Sequence, residues 1–155
     1  MRKIVILCAL FLPILAQAVE VGERLTPWLL KDQFDHGYRL NAKTQLLLIA
    51  RNMDQAKLVQ QALADKPKHY LEQKNAIFVA DVSRMPKMIS KIFALPAMRK
   101  YNYRVMLDLD GAIVSQYTRS DATVIYWLEL QQGVVVQEKL FSDAKALSVA
   151  LDAFK

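Results

Sequence analysis

The sequence predicts a three-layer α/β/α domain with a mixed central sheet and an N-terminal β-hairpin. Two runs, "TQLLLIA" (residues 44–50) and "NAIFVADVS" (residues 75–83), are apolar on both faces and so belong in the middle of a sheet. Each is followed by apolar residues at helical spacing, which implies parallel strands joined by helical crossovers. Two late apolar stretches around Gln131, Gln132 and Gly133 read as a hairpin, which makes the sheet mixed.

Taken in order, residues 27–40, "PWLLKDQFDHGYRL", are two short strands around the polar turn "DHG". Residues 44–50 are the first central strand. Asn52 or Asp54 caps the next helix by accepting hydrogen bonds from its free amides. Leu58, Val59, Ala62 and Leu63 form the inward face of that helix, and Pro67 marks its end. Residues 75–83 are the second buried strand. Met85, Met88, Ile89, Ile92 and Phe93 give the following helix an apolar stripe, with Pro86 early, where proline is tolerated, until Leu95-Pro96 interrupts it. "YRVMLDLDG" (residues 103–111) is a third strand running into a turn. After the late hairpin, Ser142 caps a last helix whose Ala144, Leu147, Leu151 and Phe154 face inward. No repeat, low-complexity segment or long linker divides the chain.

The N-terminus has a different character. Arg2 and Lys3 precede the apolar run "IVILCALFLPIL", and "AQA" (residues 16–18) closes it with small residues. This is the order of a cleaved secretory signal peptide, residues 1–18, followed by one domain over 19–155. An uncleaved anchor is the alternative, but the run is shorter than the roughly 18–20 apolar residues of a bilayer span. Cys8, the one cysteine in 155 residues, lies inside this leader. Without it the domain has no thiol, which excludes disulfides, thiol nucleophiles and thiolate metal ligands. Removing the leader also leaves 19 basic against 15 acidic residues, a net charge of +4. That mild excess serves solubility and is compatible with an acidic partner or membrane headgroups.

"GERLTPWLLKDQFDHGYRLNAKTQLLLIA" resembles the thioredoxin-like superfamily, in particular the peroxiredoxin and secreted thiol-reductase branch. Gly22, Pro27, Asp32-Gln33 and Gly37 stand where those proteins carry an early glycine, a proline, an Asp-Gln hairpin and its glycine. "VMLDLDGAIVSQY" is similar to the peroxiredoxin strand that ends in an Asp-Gly turn before a short helix. The likeness covers nearly all of residues 20–155 and is nearest to the small YtfJ-like group of periplasmic proteins, which lacks a dependable redox motif. It implies that Met53, Asp54, Gln55 and Ala56 occupy the positions of the two redox cysteines. It also implies that Ala122, before Thr123, replaces the customary cis-proline.

A cysteine at a helix N-terminus is activated by the helix dipole and free amides. Met53 has no ionisable proton and Ala56 has no side-chain chemistry, so dithiol exchange and cysteine peroxidase chemistry are excluded from residues 19–155. A degenerate corner remains: Arg51, Asn52, Met53, Asp54, Arg119, Asp121 and Ala122. Its helix N-terminus suits an anion, aided by Arg51 and Arg119 and opposed by Asp54; ordinary capping and surface charge are the plainer account. A second candidate is a partner surface at Arg99, Lys100, Tyr101, Tyr103 and Arg104, where cations adjoin two aromatic rings. The stripe Arg84, Lys87, Lys91 reads as a solvated helix face.

Other chemistries find little support. Asp108 and Asp110 before Gly111 fit a turn, and the terminal Glu of a calcium loop is missing. His36 and His69 have no companion ligands for zinc or copper. Met85, Met88 and Met106 lie on apolar faces and are assigned to core packing instead of soft-metal binding. There is no Gly-x-Gly-x-x-Gly for flavin chemistry and no Gly-x-Ser-x-Gly elbow. The expectation is a periplasmic, cofactor-free and metal-free accessory module that contacts a protein or peptide. An enzyme with non-thiol chemistry at the 51–54 corner is the alternative, and nucleic acid is not an expected partner.

Overall fold

The computed structural model describes residues 19–119 and 123–155. The expected leader, residues 1–18, lies outside the described residues, as do Asp121 and Ala122 of the expected corner. The first hairpin forms as β1 (Leu29–Asp32) and β2 (Gly37–Arg39). Asp32 shapes its turn, its Oδ1 accepting from the amides of Phe34 and His36, both at 2.9 Å. The apolar runs become β3 (Leu46–Ala50) and β4 (Ala76–Asp81), followed by β5 (Val105–Asp108), β6 (Ile125–Gln131) and β7 (Val134–Phe141). Gln132 and Gly133 form the last turn with φ of 50° and 82°, the left-handed pair that suits a two-residue hairpin.

These seven strands make one sheet in the order β2-β1-β5-β4-β3-β6-β7. Strands β3, β4 and β5 are parallel, and the remaining pairings are antiparallel. Period-two alternation divides the central strands between two apolar layers. Leu46, Leu48, Phe78, Val105 and Trp127 face helices α1 (Met53–Ala62) and α6 (Ala144–Ala153). Leu47, Ile49, Val79, Met106 and Tyr126 face Val19, Leu25, Trp28 and the short helix α5 (Val114–Tyr117). Trp28 Nε1 donates to Tyr117 Oη at 2.9 Å inside this second layer, holding the N-terminal segment against α5. No helix among the described residues is long and apolar enough to cross a membrane.

Two expectations are corrected and one element is added. The cap of α6 is Asp143, whose carboxylate accepts from the Ala146 amide at 2.7 Å, and not Ser142. A further single turn, α2 (Tyr70–Gln73), forms on one buried residue, Leu71. The largest correction concerns residues 85–98. One helix with a buried Met85–Phe93 stripe is replaced by α3 (Lys87–Ile89), a π turn (Ser90–Ala94) and α4 (Leu95–Met98). Pro96 has no N–H to give the Ile92 carbonyl, and its ring crowds that carbonyl, so the turn before it widens. Ala94, Leu95 and Met98 take the core side, and Met88, Ile89, Ile92 and Phe93 are left exposed.

Candidate functional site

Strand β3 runs through the centre of the sheet and delivers the chain directly to the N-terminus of α1. Asn52 is the cap: its Oδ1 accepts from the Gln55 amide at 3.0 Å. Gln55 reciprocates, its Oε1 accepting from the Arg51 amide at 2.5 Å. Together they form an Asn-x-x-Gln version of the capping box, displaced by one residue on the return bond. Gln55 is buried, and its Nε2 has no hydrogen-bond partner among the described residues. Sequence reasoning placed Gln55 only among the redox positions and missed its capping role, although the Asn52-x-x-Gln55 spacing was the available signal.

Met53 is the first residue of α1 and is about half exposed, at 49%. The helix end that would activate a thiol thus presents a thioether, an apolar and adaptable contact. The charges of the corner are directed elsewhere. Arg51 donates from its guanidinium to the Arg119 carbonyl, which joins the two segments through backbone. The Arg119 guanidinium lies 3.7 Å from Glu138, and its amide donates to Tyr126 Oη at 2.9 Å. Asp54 lies 3.5 Å from Lys57, with both side chains in solvent. Arg51 therefore meets Arg119 through the Arg119 carbonyl, while the Arg119 guanidinium pairs with Glu138.

The 99–104 segment is built around the first hairpin. Arg104 Nε lies 2.7 Å from Asp32 Oδ2, and Arg99 Nε donates to the Gln33 carbonyl at 2.9 Å. Gln33 is itself buried, donating to the Tyr103 carbonyl at 2.8 Å and accepting from the Val105 amide at 2.9 Å. Burial pushes the Asp32 carboxyl up, but its hydrogen bond from Arg104, the His36 and Phe34 amides and the Arg104 charge outweigh that. Its pKa lies below the ordinary carboxylate value. Tyr103 is buried and stacks on Tyr101 at 5.1 Å between ring centroids. Tyr101, Asn102, Tyr103 and Lys100 line one wall of a cleft of about 300 Å³, with Gln60, Leu63 and Ala64 opposite. Of the five residues singled out in this segment, Lys100 is exposed, and Tyr101 is half-buried against the core.

Asp108 is a capping residue: its Oδ2 accepts from the Ile113 and Val114 amides at 2.9 and 2.8 Å at the start of α5. No group of three or more His, Cys, Asp or Glu side chains within metal-binding reach occurs among the described residues.

No family model matches the chain, and no curated protein matches its sequence. Solved structures do. A thiol peroxidase from Chromobacterium violaceum aligns over 92% of this chain and 91% of its own, with 13% identity and a TM-score of 0.52. The thioredoxin domain of a thiol-disulfide oxidoreductase from Bacteroides vulgatus aligns over 89% and 100%, with 13% identity and a TM-score of 0.57. An exposed lipoprotein thioredoxin from Streptococcus pneumoniae aligns over 83% and 99%, with 15% identity and a TM-score of 0.58. At such identities the likeness is one of architecture: this chain, with a single cysteine at position 8, has the fold of the thioredoxins and peroxiredoxins.

Proposed function

We propose that the protein is a periplasmic accessory module, released by removal of residues 1–18, that uses its thioredoxin-like frame to hold a protein or peptide partner without redox chemistry. The observation that carries this reading is Met53. It stands half exposed at the first position of α1, next to the centre of the sheet, where a thiol would be activated and a thioether cannot be. An exposed methionine offers apolar contact that adapts to its partner. The cleft beside Lys100 and Tyr101 adds a concave surface in which one cation adjoins a stacked aromatic pair. The resemblance to YtfJ-like periplasmic proteins points to the same compartment.

Photo-crosslinkers at Met53 and Tyr101, introduced in cells, test the reading. A recurring protein adduct at either position, absent from a control crosslinker at the exposed Val149, is the expected result. Fractionation should recover the adduct from the periplasm. Adducts no different from those at Val149, together with turnover of a small substrate by the purified protein, would reverse it.

A further inference from the structure

Residues 84–98 carry more exposed apolar surface than the fold requires. Met88, Ile89, Ile92 and Phe93 are 74, 49, 55 and 69% exposed, although the neighbouring Ala94, Leu95 and Met98 already seat the segment on the core. The spacing i, i+1, i+4, i+5 puts the four on one side of α3 and the π turn that continues it. Side chains exposed to this degree stand out from the surface and do not line a groove, so the patch does not fit a bound strand or helix. Its charge is one-sided. From Val82 to Leu107 there is no Asp or Glu, and the same stretch contains Arg84, Lys87, Lys91, Arg99, Lys100 and Arg104. Arg99 and Arg104 are engaged with the first hairpin, whereas Arg84, Lys87 and Lys91 are exposed beside the apolar group.

We propose that this segment is a peripheral docking surface for an anionic lipid bilayer. Met88, Ile89, Ile92 and Phe93 enter the headgroup–acyl boundary, while Arg84, Lys87 and Lys91 meet lipid phosphates. Protruding apolar side chains flanked by cations, on a short helical segment with no acidic residue, match an interfacial surface. The π turn sets the geometry, because it rotates the Ala94–Leu95–Met98 group onto the core and leaves the preceding group outward. This proposal does not depend on the Met53 corner.

The test is cosedimentation of residues 19–155 with vesicles. That segment contains all seven strands and both apolar layers, so it holds the complete described fold. Binding is expected to phosphatidylcholine–phosphatidylglycerol vesicles and to be at least about tenfold weaker to pure phosphatidylcholine. A Met88→Ser/Phe93→Ser variant and a Lys87→Glu/Lys91→Glu variant should each weaken binding by about tenfold or more, with unchanged thermal melts because all four side chains are exposed. Absence of vesicle binding, or binding unaltered in both variants, would overturn the proposal. Loss in the lysine variant alone would reduce the effect to charge and overturn insertion. Tighter binding to polyglutamate than to vesicles would assign the surface to an acidic protein. Self-association that vanishes in the Met88/Phe93 variant would assign it to a second copy.

Discussion

Arg104 Nε lies 2.7 Å from the buried Oδ2 of Asp32, and this contact ties the β1–β2 hairpin to the start of β5. The same carboxylate closes the hairpin turn through its other oxygen. One side chain thus fixes both the turn and its docking on the sheet edge. An arginine that sequence reading placed on a partner surface serves an internal bond.

Asp32→Ala is expected to destabilise the protein by about 3 kcal/mol, because Arg104 loses its counter-charge and two amides lose their acceptor. Urea unfolding at pH 7 measures this. The folded-state pKa of Asp32 is depressed, so in acid the unfolded chain binds the proton first. The Asp32 contribution is therefore present above the unfolded carboxylate value and is lost as pH falls through the lower, folded one. The gap between wild type and Asp32→Ala should narrow below about pH 3.9. A gap constant from pH 7 to pH 2 would contradict this account.

The cap of α1 gives a second expectation. Asn52→Ala should cost about 1 kcal/mol, and Asn52→Asp much less, because the carboxylate keeps the bond to the Gln55 amide. Gln55→Ala removes a buried side chain and the acceptor of the Arg51 amide, and should cost about 1–3 kcal/mol. The ordering Asn52→Asp, Asn52→Ala, Gln55→Ala, read from denaturant midpoints, checks the reciprocal box.

Met53→Cys asks whether an ionisable thiol is all that the corner lacks. The helix N-terminus should depress the new thiol below the ordinary ~8.5, seen as iodoacetamide alkylation that persists toward neutral pH. The Met53→Cys/Ala56→Cys variant creates Cys-x-x-Cys spacing on one turn of α1 and should form a reducible disulfide, whereas wild-type residues 19–155 remain inert to thiol reagents. A thiol at 53 that titrates at or above the ordinary value would show that Asp54 and the neighbouring charges cancel the activating field of the α1 N-terminus.

What the sequence made legible follows from how locally each feature is determined. The buried strands β3 and β4 announce themselves, because only a strand covered on both faces carries Leu-Leu-Leu-Ile or Ile-Phe-Val without polar alternation. The Gln132-Gly133 turn is equally local, since a two-residue hairpin requires left-handed φ. Residues 85–98 were misread because two apolar stripes compete there, Met88/Ile89/Ile92/Phe93 and Ala94/Leu95/Met98. Periodicity alone does not rank them; the π turn ahead of Pro96 does, through tertiary packing. Asp32 and Arg104 are 72 residues apart, so their pairing leaves no local trace. Helix α2 rests on Leu71 alone, too little for a helical period to register.

Tyr117 links the second apolar layer to a measurable titration. It is buried, and its hydroxyl accepts from Trp28 Nε1 at 2.9 Å. Burial pushes its pKa up, the Trp28 bond pulls it back in part, and Glu23 adds to the rise, leaving it at about 12. Between the ordinary tyrosine value and that one, the unfolded chain releases the proton while the folded chain retains it. Stability must therefore fall as pH rises through this window, by up to about 1.4 kcal/mol per pH unit for this one group. Tyr117→Phe removes that slope and leaves the Trp28 N–H without an acceptor in an apolar layer, a loss of about 1–2 kcal/mol at pH 7. The variant should thus be the less stable protein at neutrality and lose its disadvantage progressively from pH 10 to 12. Guanidinium unfolding at several alkaline pH values, with phenolate absorbance followed in parallel, decides the matter. Parallel stability curves for the two proteins would mean that the Tyr117 hydroxyl already ionises at its ordinary pH, which the enclosed Trp28 contact does not permit.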